Sequence, residues 1–308
     1  MAITTPEAVP AKGPWRRRLG AIAGLLICGF LAWALARGWQ GVKDYQWDLR
    51  WWPFAAGVAM LVLFYLASGF GYILILERLH HPCPPRIAVL SIWAKSLLGR
   101  YVPGSVLMVV GRVVLSFVRG VPRRASAAAL SFELILSVGG AAAAAAVFVA
   151  VYGSGGAAVW LVALLPLGLV VLHPRIFGPL STWALRKVRR DPLPRLIAPG
   201  PLVWLVGWYA LTAVLLGVAM WLLVWSAAGS DAGGPVYVGA AFLMSFAASM
   251  VAVIVPSGIG VREGAFALAL ARYVPDGVAV ALAVGSRLIL TLVELAFVAV
   301  VAVAGRRR

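Results

Sequence analysis

Lys95, Arg100, Tyr101 and Arg112 surround the helix breakers Pro103-Gly104-Ser105, and Arg262-Glu263 follow Pro256-Ser257-Gly258-Ile259-Gly260 about half a chain later. Glu133, Arg287 and Glu294 fall inside long apolar runs. On insertion scales a charge at the centre of a membrane helix costs roughly 2.5–3.5 kcal/mol, so such groups face partners or a water-filled cavity. Arginine offers bidentate hydrogen bonds to phosphate. Half-helices that begin after Pro-Gly and Pro-Ser-Gly add backbone donors and positive dipole ends. These residue types point to a lined cavity for an anion, with phosphate the obvious guest. Arg112, Arg262 and Arg287 would bind it, while Glu133, Glu263 and Glu294 neutralise them or recognise a cationic or sugar group.

Each charge also has a purely structural role open to it. Arg287 and Glu294 are seven residues apart, hence on one helical face, and an internal ion pair between them would fix helix packing. Glu133 can serve an arginine of the first break. Lys95 and Arg100 can snorkel to headgroups.

The elements that must position these residues are membrane helices. Hydrophobic residues make up 63% of the 308, charged residues 12%, and the mean hydropathy is +0.96. Soluble domains carry about 25% charged residues, so the chain is an all-α polytopic membrane protein forming one integral membrane domain, 1–308. A span needs about 20 apolar residues. Seven runs qualify or nearly do: 19–36, 53–76, 125–152, 157–172, 201–228, 236–255 and 277–305. Arg16-Arg17-Arg18 precede the first run with no A-x-A-like cleavage site after it, which reads as a retained helix behind a cytoplasmic tail, 1–18.

Charge sets the expected orientation. The stretch 173–200 carries Arg175, Arg186, Lys187, Arg189, Arg190 and Arg195 against Asp191 alone, and should be a cytoplasmic loop between two halves. Residues 153–156 and 229–235 contain no Lys or Arg and should face outside. With both termini cytoplasmic, residues 87–118 cross an even number of times, which a re-entrant pair folding at Pro103-Gly104 satisfies. Residues 256–276 then make one net crossing, or pair with the preceding helix as a broken hairpin. About eight membrane helices with re-entrant pieces result, in a multi-pass protein of the plasma membrane. The two breaks look like counterparts in an inverted repeat, and paired breaks of this kind point to a transporter's binding site.

Other chemistries find little support. Two cysteines and three scattered histidines make neither a disulfide framework nor a metal site. The net charge of +17 suits loops facing anionic headgroups, without a nucleic-acid-binding motif. Gly258-Ile259-Gly260 lacks the βαβ setting of a dinucleotide site. No cofactor is expected.

At these same residues the chain resembles the lysylphosphatidylglycerol synthase transmembrane-region family. The resemblance rests on Lys95, Arg100–Ser105, Gly111-Arg112, Gly120, Arg123-Arg124, Glu133, Pro256–Gly264, Arg287 and Glu294, and runs from about residue 15 to 305. In bifunctional members this region is joined to a soluble aminoacyltransferase, and the membrane part flips the lipid. No such domain follows Arg308, so the resemblance implies a non-enzymatic lipid translocase. Its cargo would be a phospholipid or a polyprenyl-phosphate-linked sugar. Stand-alone members look like companions of cell-envelope glycosyltransferases or synthases, the protein partners to expect besides a homo-oligomer. Two rival readings stand beside it. One is a membrane glycosyltransferase using Asp44 and Asp48 of the first external loop; the other is a non-catalytic partner in an envelope-synthesis complex.

Overall fold

The computed structural model describes residues 39–80, 82–101, 106–152, 197–251 and 260–305, with isolated positions at 29, 33, 36, 175, 176, 179, 182 and 183. Among them are nine helices and no strand: α1 (Trp39–Asp44), α2 (Trp51–Leu79), α3 (Arg86–Leu97), α4 (Val106–Val118), α5 (Arg123–Tyr152), α6 (Pro199–Ala228), α7 (Pro235–Val251), α8 (Val261–Leu270) and α9 (Asp276–Ala304). A 3₁₀ turn, Leu98–Tyr101, follows α3. Four helices, α2, α5, α6 and α9, are long and apolar enough to cross a membrane. The protein is an all-helical, polytopic membrane protein.

Proline marks several beginnings. It precedes α3 and α9 as Pro85 and Pro275, and opens α6 and α7 as Pro199 and Pro235, where its missing N–H removes no helical bond. Within lipid the helices associate through close packing and polar contacts rather than by escaping water. On α2 the buried stripe runs Leu61, Tyr65, Ser68, Tyr72, Ile75 and Leu79. On α9 it runs Ser286, Leu290, Glu294, Phe297 and Val301. Both keep the three-to-four-residue spacing of one helical face, and Glu294 stands in the middle of its stripe.

α3 with α4, and α7 with α8, form two antiparallel hairpins. Ser96 bonds Arg112 across the first, and Gly99 lies against Leu107 and Met108 near its tip. In the second, Tyr237 bonds Ala269, Phe242 packs on Phe266 and Arg262 lies over Phe246. At 13 and 10 residues, α4 and α8 are about 20 and 15 Å long, short of the roughly 30 Å hydrocarbon core. Of the two expectations for 256–276, the described residues 260–276 fit the broken hairpin, with α8 packed back along α7.

The hairpins enter from opposite ends of the bundle. The connections around 45–50, 229–235 and 271–275 gather at one end: Tyr45 bonds Ala228, Arg50 bonds Ser226, and Gly233 abuts Tyr237 and Tyr273. At the other end Leu79, Val121 and Ile197 share one buried cluster, and Gly305 abuts Ser91. The first hairpin opens toward this second end, which carries Arg78, Arg86, Arg119, Arg123 and Arg124. The second hairpin opens toward the first end.

Helices α2, α5, α6, α7 and α9 meet five of the seven expected runs, α7 over its 17 described residues, with 252–255 outside the described residues. The run 157–172, the run 19–36 apart from positions 29, 33 and 36, and most of the stretch 173–200 lie outside the described residues. The described positions 175, 176, 179, 182 and 183 in that expected loop are helical.

Candidate functional site

Both hairpins tie their returning limb to the long helix that follows. In the first, Arg112 of α4 is ion-paired with Glu133 of α5. Trp93 Nε1 donates to the other oxygen of Glu133 at 2.6 Å, and Arg112 Nε donates to Ser96 Oγ at 2.8 Å. The guanidinium also lies over the rings of Tyr72 and Trp93, at 4.8 and 5.9 Å. Arg112 is 1% exposed, and a buried charge needs every one of these contacts.

In the second hairpin the signs are reversed. Glu263 of α8 faces Arg287 of α9 at 3.5 Å. Its other oxygen accepts the backbone N–H of Gly260 at 2.5 Å, capping α8. Gly260 has φ 85°, a left-handed conformation that glycine adopts without strain. Arg262, just before Glu263 in the chain, is buried over the rings of Phe242 and Phe246 at 4.4 and 5.2 Å, and its Nε has no hydrogen-bond partner among the described residues.

A third pair joins the halves. Arg100, at the tip of the first hairpin, reaches Glu294 of α9 at 3.1 Å. Tyr65 of α2 donates to the same carboxylate oxygen at 2.8 Å, while Oε1 has no hydrogen-bond partner among the described residues. Arg287 and Glu294 are two turns apart on α9, about 10 Å along its axis. The tips of both hairpins therefore meet the middle of one helix, close enough for Arg100, Tyr65, Glu263 and Arg287 all to act electrostatically on Arg262.

This assembly, with its break motifs, is what the family comparison covers. Residues 20–297 match the model described as the lysylphosphatidylglycerol synthase TM region. The chain belongs to that family. It is a membrane protein of the lysylphosphatidylglycerol synthase and flippase type. No curated protein and no solved structure matches the chain.

Of the expected site residues, the bundle brings Arg100, Gly260, Arg262, Glu263, Arg287 and Glu294 together around α9. Half-exposed Tyr101 is beside them, within the electrostatic reach of Glu294 and Arg287. Arg112 and Glu133 form their own closed pair between α4 and α5. Lys95 sits partly buried near the end of α3, with no ion pair among the described residues. Pro103, Gly104, Ser105, Pro256, Ser257 and Gly258 lie outside the described residues. The internal Arg287–Glu294 pair is not formed: each side chain serves a different hairpin, because two helical turns separate them. Asp48, offered as an external acid, is paired with Arg50 at 2.5 Å. Among the described residues no three His, Cys, Asp or Glu side chains gather to hold a metal.

Sequence reasoning passed over Tyr65, Trp93 and Ser96. The available signal was polar aromatic tips deep within apolar runs. Trp and Tyr ordinarily mark interfaces, and a buried one usually has a hydrogen-bond partner.

Proposed function

We propose that the protein translocates a phosphate-bearing lipid between leaflets, and that the headgroup binds between the two hairpin tips while the apolar tail stays in the bilayer. One observation carries this reading: two hairpins entering from opposite ends converge on the middle of α9 with three arginines and two glutamates. Arg100, Arg262 and Arg287 against Glu263 and Glu294 leave one excess positive charge for an anion. The Nε of Arg262, without a hydrogen-bond partner among the described residues, supplies a donor, and guanidinium geometry suits phosphate oxygens. Irregular backbone at membrane depth is tolerated where it lines such a cavity. Each hairpin is anchored at one end of the bundle, so movement of either tip away from α9 opens the site toward one side, the rocking that gives alternating access.

The basic end faces the cytoplasm in this reading, with the plasma membrane as the location. The protein then does its work without making or breaking covalent bonds, as a lipid carrier by itself or beside a cell-envelope synthase, and the site suits either a phospholipid or a polyprenyl phosphate.

Reconstitution of the full chain in liposomes tests the reading. Arg262→Ala and Arg287→Ala proteins that insert normally are expected to lose most of the flipping of headgroup-labelled lipid. Wild-type rates in both would remove the site from the mechanism. Mass spectrometry of lipid retained after gentle extraction separates phospholipid from polyprenyl-phosphate cargo.

A further inference from the structure

Three buried carboxylates of the bundle are satisfied to different degrees. Glu133 has one oxygen taken by Trp93 and the other by Arg112. Glu263 has one taken by the Gly260 N–H and the other facing Arg287. Glu294 differs: Oε2 holds both Tyr65 and Arg100, Oε1 has no hydrogen-bond partner among the described residues, and the side chain is wholly buried. Its counter-ion is also the most accessible of the site's paired arginines, with 28% of the Arg100 side chain exposed against 18% for Arg287 and 1% for Arg112. Two of these carboxylates are fastened in place. The third depends on a guanidinium that a ligand can reach.

We infer that Glu294 takes up a proton when an anion binds Arg100, so that headgroup binding and protonation of this carboxylate are one coupled event. The inference rests on the translocase reading of the site. An incoming phosphate group competes with Glu294 for the same guanidinium. Once Arg100 turns to the phosphate, the carboxylate is left buried without its counter-charge, and a buried group in that position neutralises rather than remaining ionised. The balance is simple: the anion joins Arg100, one proton from water joins the Glu294 carboxylate, and the arginine keeps its proton throughout. For a singly charged headgroup such as a phosphodiester, the charge of the site is the same before and after; a phosphate monoester brings any second charge in addition.

The charged and titratable groups that face Glu294 leave it the exchanging member. Tyr65 from α2 donates its hydroxyl to the carboxyl group. Arg100 and Tyr101 come from the first tip, where Glu133 of α5 also acts on Arg100. Arg262 and Glu263 come from α8, and Arg287 from α9 itself, with Glu263 and Arg287 occupied by each other.

The test uses purified full-length protein in phosphatidylcholine nanodiscs, titrated separately with dihexanoylphosphatidylglycerol and with geranyl phosphate. Proton uptake is read with a pH indicator and by calorimetry in two buffers of different ionisation enthalpy. The Glu294→Gln protein, which keeps an acceptor for Tyr65, corrects for the probe's own titration. The expected result is one proton taken up per probe bound, with apparent affinity rising about tenfold for each unit fall in pH. The Glu294→Gln protein should bind with no extra uptake and no such pH dependence. Binding to wild type without proton uptake overturns the coupling and leaves the translocase reading standing. Uptake that persists in Glu294→Gln places the proton elsewhere and overturns the assignment. Binding of neither probe removes the anion site, and both readings fall together. Should the Gln protein fail to fold, the wild-type stoichiometry still decides, and Glu294→Asp is expected to retain the uptake. The probe that binds identifies the source of the phosphate.

Discussion

Arg112 shows what a closed buried pair implies for substitution. Its guanidinium is engaged by Glu133, Ser96 and two aromatic faces at 1% exposure. Breaking such a pair by removing one partner is strongly destabilising, on the order of 3–5 kcal/mol, because the other charge is left uncompensated. The Arg112→Met protein is therefore expected to melt well below wild type, whereas Arg112→Met with Glu133→Leu regains most of the loss; fluorescence-detected unfolding in detergent measures both. A double variant no more stable than the single one would mean that the pair itself, rather than its unpaired remnant, sets the stability. Cys83 gives a second test at this scale, in the connection between α2 and α3. Burial, and then the nearby Glu77 carboxylate, push its thiol up to about 11. In a Cys28→Ser background, maleimide labelling at pH 8 should run about a hundredfold slower than for a free cysteine, since the thiolate is the nucleophile. The rate should climb until the pH approaches 11. The folded state holds this proton more tightly than the unfolded chain, so the contribution of Cys83 to stability is intact below about 8.5 and declines as pH rises above it. Fast labelling at pH 8 would show an open thiol.

The two limbs of the first hairpin pack closely at Gly99. A Cβ added to Gly99 would lie 2.4 Å from the backbone nitrogen of Met108 and 2.6 Å from the carbonyl carbon of Leu107. Those are backbone atoms that cannot swing aside, and overpacking of this kind costs about 1–3 kcal/mol. Gly99→Ala should lower the melting temperature and displace Arg100 from Glu294, reducing lipid flipping more than the neighbouring Leu98→Ala; equal effects would show that the turn does not position Arg100. The hairpin itself was legible in the sequence, because Pro103 and Gly104 break an apolar run between two basic stretches, and hydropathy, charge and helix breakers are local properties. One partner was legible as well: Glu133 was open to an arginine of the first break, and it pairs with Arg112. Those of Glu294 were not. Glu294 finds Tyr65 more than half a chain away and Arg100 across the other hairpin, and residue spacing carries no information about which helices become neighbours. For Arg287 and Glu294 a shared helical face left an internal pair open beside the cavity reading, and in the structure their two-turn separation sends each to a different hairpin.

At the scale of the molecule, the reversed charges of Arg112–Glu133 and Glu263–Arg287 occupy corresponding places. Each joins the returning limb of a hairpin to the next long helix. This correspondence, together with the opposed openings, is what an inverted repeat predicts for its two halves. It has a consequence for sidedness that does not depend on the cargo. Arg119 lies in the exposed turn leaving the first hairpin, and Tyr273, 42% exposed, lies in the turn leaving the second. In a background lacking Cys28 and Cys83, a membrane-impermeant maleimide added to intact cells should label the Tyr273→Cys protein and spare the Arg119→Cys protein. After permeabilisation both should react, which confirms that the second thiol was shielded by the membrane rather than by packing. Labelling of both from outside would put the two hairpins on one face. The site around α9 would then open to a single side of the bilayer, and alternating access through opposed tips would be lost as a mechanism.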